Sequence, residues 1–136
     1  MLFGDGPELL AAIVGAVRSA PEGASPNRVM QAVAERLGAL FEVERPHHRQ
    51  RVRVLAADPA LLERDHLKQV AWAQTIGSEL IARGLPAGRA VVLASAATAT
   101  FRTVYVAWAT DRSRTKLADR LRMALADLSA DLAMTE

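Results

Sequence analysis

Three histidines, a cluster of arginines and a few aromatic side chains are the residues whose types suit chemistry in this chain. His47 and His48 are adjacent. Adjacent residues on a helix point in different directions, so the two cannot easily share one metal ion. Glu63 and His66 have the spacing of half a di-iron Glu-x-x-His signature. One copy lacks the carboxylates that would complete it. The chain has no cysteine, which removes disulfides, thiolate metal sites and cysteine nucleophiles. None of the serines at 19, 25, 78, 95, 113 and 129 stands in a G-x-S-x-G elbow. Gly4-Asp5-Gly6 is too short for a phosphate loop and opens no strand–turn–helix unit. The expectation is a protein that is not an enzyme and holds no metal and no cofactor.

Two groups point to binding instead. Arg45, His47, His48, Arg49, Arg51 and Arg53 form a basic patch in a chain whose net charge is only +2. It reads either as a solvated helix face or as a contact to an anion, such as the phosphates of a ligand or another domain. Duplex DNA readout finds no support, because no recognition helix stands beside it. Phe41, Trp72, Phe101, Tyr105 and Trp108 each suit a core. Taken together, bulky rings leave irregular gaps between helices, where ligands commonly bind. Arg102 lies in the same turn as Phe101 and Tyr105, and a buried arginine needs an anionic partner from the protein or from a ligand.

These residues must be positioned by helices. The 136 residues, 51% hydrophobic and 24% charged, suit one globular domain over 1–136 with an unaided core. No uninterrupted apolar run reads as a membrane span. The apolar stretch 9–17 follows no basic segment, so no signal peptide is expected. The cytoplasm is the default, with no membrane partner. Gly4-Asp5-Gly6-Pro7, Pro21–Pro26, Glu44-Arg45-Pro46, Ala57-Asp58-Pro59, Gly84–Gly88 and Asp111-Arg112-Ser113 punctuate the chain. Several put proline at a helix start with Asp or Ser just before it as a cap. Gly84 suits a left-handed stop after Arg83. The fold class expected is all-α, a bundle of about six helices over 7–19, 26–42, 46–56, 59–83, 86–109 and 114–133. The third segment is ambiguous, since Arg51-Val52-Arg53-Val54-Leu55 alternates like a strand. A lone strand would have no partner, which favours helix.

Each helix shows its stripes. Val29, Val33, Leu37, Leu40 and Phe41 make one on the second. The fourth has two ridges, Leu62, Val70, Ala73, Gly77, Leu80 and Ile81 on one and Trp72 and Ile76 on the other. In the fifth, Arg102 is the only charge between Ala90 and Ala109, which predicts burial nearly all round. Its bulky stripe (Leu93, Ala97, Phe101, Val104, Trp108) suits a core. Its small stripe (Val92, Ala96, Ala99, Thr103, Ala107) suits close approach of another helix.

Asp58-Pro59-Ala60-Leu61-Leu62-Glu63-Arg64, preceded by Arg51-Val52-Arg53-Val54-Leu55-Ala56-Ala57, resembles a stretch common in TetR/AcrR-type regulators. Ile81-Ala82-Arg83-Gly84-Leu85-Pro86, the helix ending Val106-Ala107-Trp108-Ala109 and the final Leu-rich helix extend the likeness. Nearly all 136 residues are similar to the C-terminal domain of that family, especially the variety in mycofactocin-system regulators. The resemblance implies an effector-sensing, homodimerising domain of a transcriptional repressor. DNA would be contacted only through a helix-turn-helix domain expected to be absent here, with Met1-Leu2-Phe3 resembling the point just after it. It implies a ligand cavity among the middle helices, which by position Leu37, Phe41, Val52, Leu55, Trp72, Ile76, Phe101 and Tyr105 would face. It also implies a four-helix dimer interface from the last two helices, placed on Val92, Ala96, Ala99, Thr103, Leu117, Leu121, Leu125 and Leu128. The effector implied is apolar or acyl-type, an acyl coenzyme A among the options. The alternative is a helical protein-association module with no pocket.

Overall fold

The computed structural model describes residues 6–133. Met1-Leu2-Phe3 and the opening cap at Asp5 lie outside the described residues. Within them are six α-helices and no strand: α1 (Gly6–Ser19), α2 (Pro26–Glu42), α3 (Arg45–Ala57), α4 (Pro59–Ala82), α5 (Ala87–Thr110) and α6 (Leu117–Ala133).

Local chemistry sets the boundaries. Ser25 accepts from Arg28 N–H at 3.2 Å ahead of Pro26. Asp58 accepts from Ala60 and Leu61 N–H at 3.0 and 3.3 Å ahead of Pro59. In both places the side chain satisfies donors that a first turn leaves open, and proline has none to lose. Gly84 (φ 101°) closes α4 in the left-handed region, and Leu85 N–H returns to Leu80 C=O at 3.1 Å, the six-residue closure typical of such stops. The segment that alternates like a strand is helical in α3. His48, Val52 and Leu55 are its buried stripe.

Two helix pairs form the body, α4 with α5 and α2 with α6. The core runs between them and under α1 and α3, with Ile13, Val17, Tyr105, Trp108, Ala109 and Leu117 fully buried. Of the two ridges expected on α4, Trp72 and Ile76 lie on the buried one, joined by Gly77 and Leu80. Val70 and Ile81 are exposed at 44% each. In α2, Leu40 sits at the exposed edge of its stripe, 37% accessible. By length and composition α5 could cross a membrane, yet only a third of its most apolar stretch is buried inside the fold. Its apolar residues form no uninterrupted run of spanning length, because Arg102 and several threonines interrupt them.

Arginines tie the helix ends together. Arg83 donates to Val17, Ala20 and Pro21 C=O at 3.1, 3.2 and 2.6 Å. It thereby satisfies carbonyls that the end of α1 leaves open. At the far end of the bundle, Arg45 donates to Trp108 C=O at 2.8 Å. Arg49 donates to Ala109 and Asp111 C=O, each at 3.0 Å. Two guanidiniums thus cover the carbonyl end of α5, where positive charge also suits the helix dipole. Glu42 of α2 accepts from Leu117 N–H at 2.8 Å, capping α6 from a different helix.

Arg120 closes the α5–α6 turn with a two-pronged grip on Asp111, at 2.8 and 2.7 Å. Those bonds, helped by Ser113 N–H and the charges of Arg120 and Arg45, hold the Asp111 carboxyl below the usual carboxylate range. A carboxylate with a depressed folded pKa supplies stability that is present above its unfolded pKa and lost as pH falls through the folded one. In urea unfolding across pH, wild type should exceed Asp111→Asn fully above about pH 5, and the gap should close as pH falls below about 4. A gap that stays constant to the acid limit would remove Asp111 as the titrating group.

Candidate functional site

A small, partly open cavity lies between the two helix pairs. Met30, Val33, Ala34 and Leu37 come from α2, Trp72 and Ile76 from α4, Ala97, Thr98, Thr100 and Phe101 from α5, and Leu121 and Leu125 from α6. Its volume is about 30 Å³, room for no more than a water or two, and an apolar lining keeps such space dry. No charged side chain faces it. Its two hydroxyls are already spent on their own helix, Thr98 on Ala94 C=O at 2.7 Å and Thr100 on Ala96 C=O at 2.8 Å. The site can hold an apolar group and offers no acid, base or nucleophile.

One turn further along α5 is an aromatic cluster. His48 is stacked on Phe41 (4.6 Å between centroids, 11° between planes). Its Nδ1 lies 2.6 Å from the Tyr105 hydroxyl. Phe101 meets Phe41 edge-on at 5.7 Å and Trp72 at 5.9 Å, so the cluster and the cavity share a wall. Rings in such offset and edge-on poses add modestly to burial.

On the outside of α5, Val92 is 69% exposed, Ala99 and Thr103 are exposed and Ala96 is half-buried. The small stripe lies open along one side of the molecule.

Residues 24–133 match the family described as the MftR C-terminal domain. The chain belongs to that family. Domains of this kind are the regulatory parts of TetR-type transcription regulators, which dimerise, bind small-molecule effectors and are not enzymes. No curated protein matches the chain.

Within this MftR C-terminal domain the expected cavity residues divide. Leu37, Trp72, Ile76 and Phe101 line the cavity. Phe41 and Tyr105 stand in the adjoining cluster. Val52 and Leu55 are buried on α3, and Leu55 lines a separate shallow hollow with His47, Gln50 and Leu61.

The expected interface needs correction. Leu117, Leu121 and Leu125 are 0%, 1% and 8% exposed, so they belong to the core of a single chain and offer no surface. Leu128 is half-buried. The leucine stripe of α6 faces α2, and the helices meet so closely that a Cβ on Gly38 would stand 2.6 Å from Ala118 Cα. Among the described residues of α6, Met123 is a large apolar side chain left on the surface, 63% exposed. Burial nearly all round likewise fails for α5, whose small stripe is largely exposed among the described residues.

Four residues hold positions that the sequence does not announce. Asp65 is fully buried and pairs with Arg102 at 3.7 Å, so the anion that Arg102 requires comes from the protein. The signal was available, since Asp65 precedes Trp72 by two helical turns on the same face. His48, placed in the basic patch by its sequence, is deep in the core, while Glu63 and His66 are both exposed. Arg45 and Arg49 spend their hydrogen bonds on α5 carbonyls, which nothing within α3 announces.

Proposed function

We propose that this domain senses an apolar or acyl-type effector, an acyl coenzyme A among the options, and homodimerises through the outer face of α5 beside Met123 of α6, as the cytoplasmic sensor of a repressor. The observation that carries the reading is the uncharged cavity lined by four helices, with Leu37, Trp72, Ile76 and Phe101 on its wall. Ligand sites of this kind measure roughly 300–1,000 Å³, so a ligand must part the α2/α6 pair from the α4/α5 pair. Ala97, Thr98 and Phe101 line the cavity, while Ala96, Ala99 and Thr103 lie on the outer side of the same helix. A ligand that displaces α5 therefore displaces the surface offered to a second copy. Only a difference in affinity between the closed and parted states can drive that shift.

The smallness of the cavity favours a second reading, a protein-association module with a closed core. Thermal melts against fatty acids, acyl coenzyme A esters and aromatic compounds separate the two. A ligand at a hundred times its Kd adds about 2.7 kcal/mol, which should raise Tm by several degrees. A flat response across the panel leaves the second reading. Self-association is read by sedimentation over a dilution series. Ala99→Glu should turn a dimer into a monomer at micromolar concentration, and a variant that stays dimeric would move the interface off this stripe.

A further inference from the structure

α1 and α2 pack side by side and leave an open groove of about 1150 Å³ along the outside of the bundle. α1 lines it with Ala12, Gly15 and Ser19, and α2 with Arg28, Ala32, Glu35 and Ala39. On both helices the steps are three and four residues, the spacing by which one helix seats another. We infer that the groove receives an amphipathic helix of a partner protein, bulky and apolar toward the groove and acidic along the edge that meets Arg28 and Arg36. The assignment does not depend on the apolar cavity, which Met30, Val33, Ala34 and Leu37 meet from the other side of α2, or on the α5 face.

Shape is the first ground. From Arg28 to Ala39 the α2 wall extends over roughly 17 Å, three turns of helix. The groove lies open to solvent, with Ala11, Gly15, Ser19 and Ala39 exposed. Small-molecule sites enclose most of their ligand, which an open trough cannot do. Its α1 wall carries only Ala, Gly and Ser side chains. Two copies of so concave a surface would leave a void between them, and close packing leaves few voids. The occupant must therefore bring the large side chains.

Gly15 is the second. Glycine inside a helix costs roughly 1 kcal/mol against alanine. An added Cβ at Gly15 would meet nothing within 4 Å, so no contact among the described residues requires a glycine there. A side chain missing from the wall of a groove lets a second helix backbone approach closely.

Charge is the third. Arg28, Glu35 and Arg36 line the groove and are exposed. None of them forms an ion pair with another described residue. Two cations against one carboxylate, facing an uncharged α1 wall, complement a helix edge with two acidic residues and a single basic one for Glu35. A nucleic acid would need a much denser run of cations.

The probe is a displayed library of helical peptides whose surface positions vary among Ala, Leu, Glu and Lys. Selection on the whole chain should enrich Leu at steps of three and four residues, with Glu outnumbering Lys beside it. Gly15→Trp puts a large side chain into open space, so the melting temperature should hold while the selected peptides bind more than about ten-fold more weakly. Arg28→Glu with Arg36→Glu should weaken them by about two- to five-fold for each exposed pair lost and turn the enrichment toward Lys. Arg53→Glu on α3, outside the groove, should leave binding within about two-fold of wild type. An empty selection, or peptides that bind Gly15→Trp as well as wild type, would overturn the site. Equal enrichment of Glu and Lys would overturn the acidic partner. Self-association of the free chain that Gly15→Trp abolishes would make the occupant a second copy and overturn the partner protein.

Discussion

Trp72→Ala should destabilise the fold by about 3–5 kcal/mol in urea unfolding, near the top of that range. Trp72 is 3% exposed and leans on Phe101, so truncation removes a large apolar contact area and leaves a void. That void opens onto the existing cavity of about 30 Å³, and the cost of truncation grows with the empty volume left behind. Measured against total stabilities of about 5–15 kcal/mol, the loss should be visible as a much lower Tm. An apolar void of this size also takes up small apolar molecules, so millimolar indole should restore part of the loss to the variant and leave the wild type unmoved. A cost under about 2 kcal/mol would mean that the two helix pairs collapse onto the space. That result would favour an adaptable cavity, the behaviour a sensor needs.

The second large effect reverses the usual consequence of removing a helical glycine. Within a helix, Gly→Ala is worth roughly 1 kcal/mol in favour of the variant. Gly15, in the middle of α1, has nothing within 4 Å of an added Cβ, so Gly15→Ala should stabilise by about that amount. At Gly38 the same methyl would lie 2.6 Å from Ala118 Cα and 2.7 Å from its nitrogen and Cβ. Those are largely backbone atoms, which cannot rotate aside. Their helix is pinned one turn later on α2 by the Glu42–Leu117 bond. Relief requires α2 and α6 to separate along their whole contact. Overpacking of this kind costs about 1–3 kcal/mol, and Gly38→Leu should exceed Gly38→Ala. Chemical denaturation of the two alanine variants side by side is the test. Stabilisation at both positions would show that the α2–α6 crossing is loose.

The contrast between these glycines shows where local reading stops. Both sit in helical sequence, and nothing in their neighbours along the chain tells them apart. Gly38 is distinguished only by Ala118, eighty residues later. The leucines of α6 teach the same lesson. Their spacing establishes one apolar face, which suits a partner chain as well as α2, and the fold places α2 there. The small stripe of α5 stays exposed instead.

What the sequence by itself determined is the set of elements. Proline at the first turn, Ser25 and Asp58 as caps, Gly84 as a stop and apolar spacing near 3.6 act within a few residues, through backbone sterics and local hydrogen bonds. They specified six helices and their ends closely, and the resemblance in helix order specified the family. Tertiary structure alone decided what each face meets. It formed the cavity between two helix pairs, buried Asp65 against Arg102, set His48 on Tyr105 and turned two arginines of α3 into the cap of α5. Each of those depends on contacts between residues far apart in the chain. Periodicity shows that a side chain faces inward, and only packing fixes which partner it finds there.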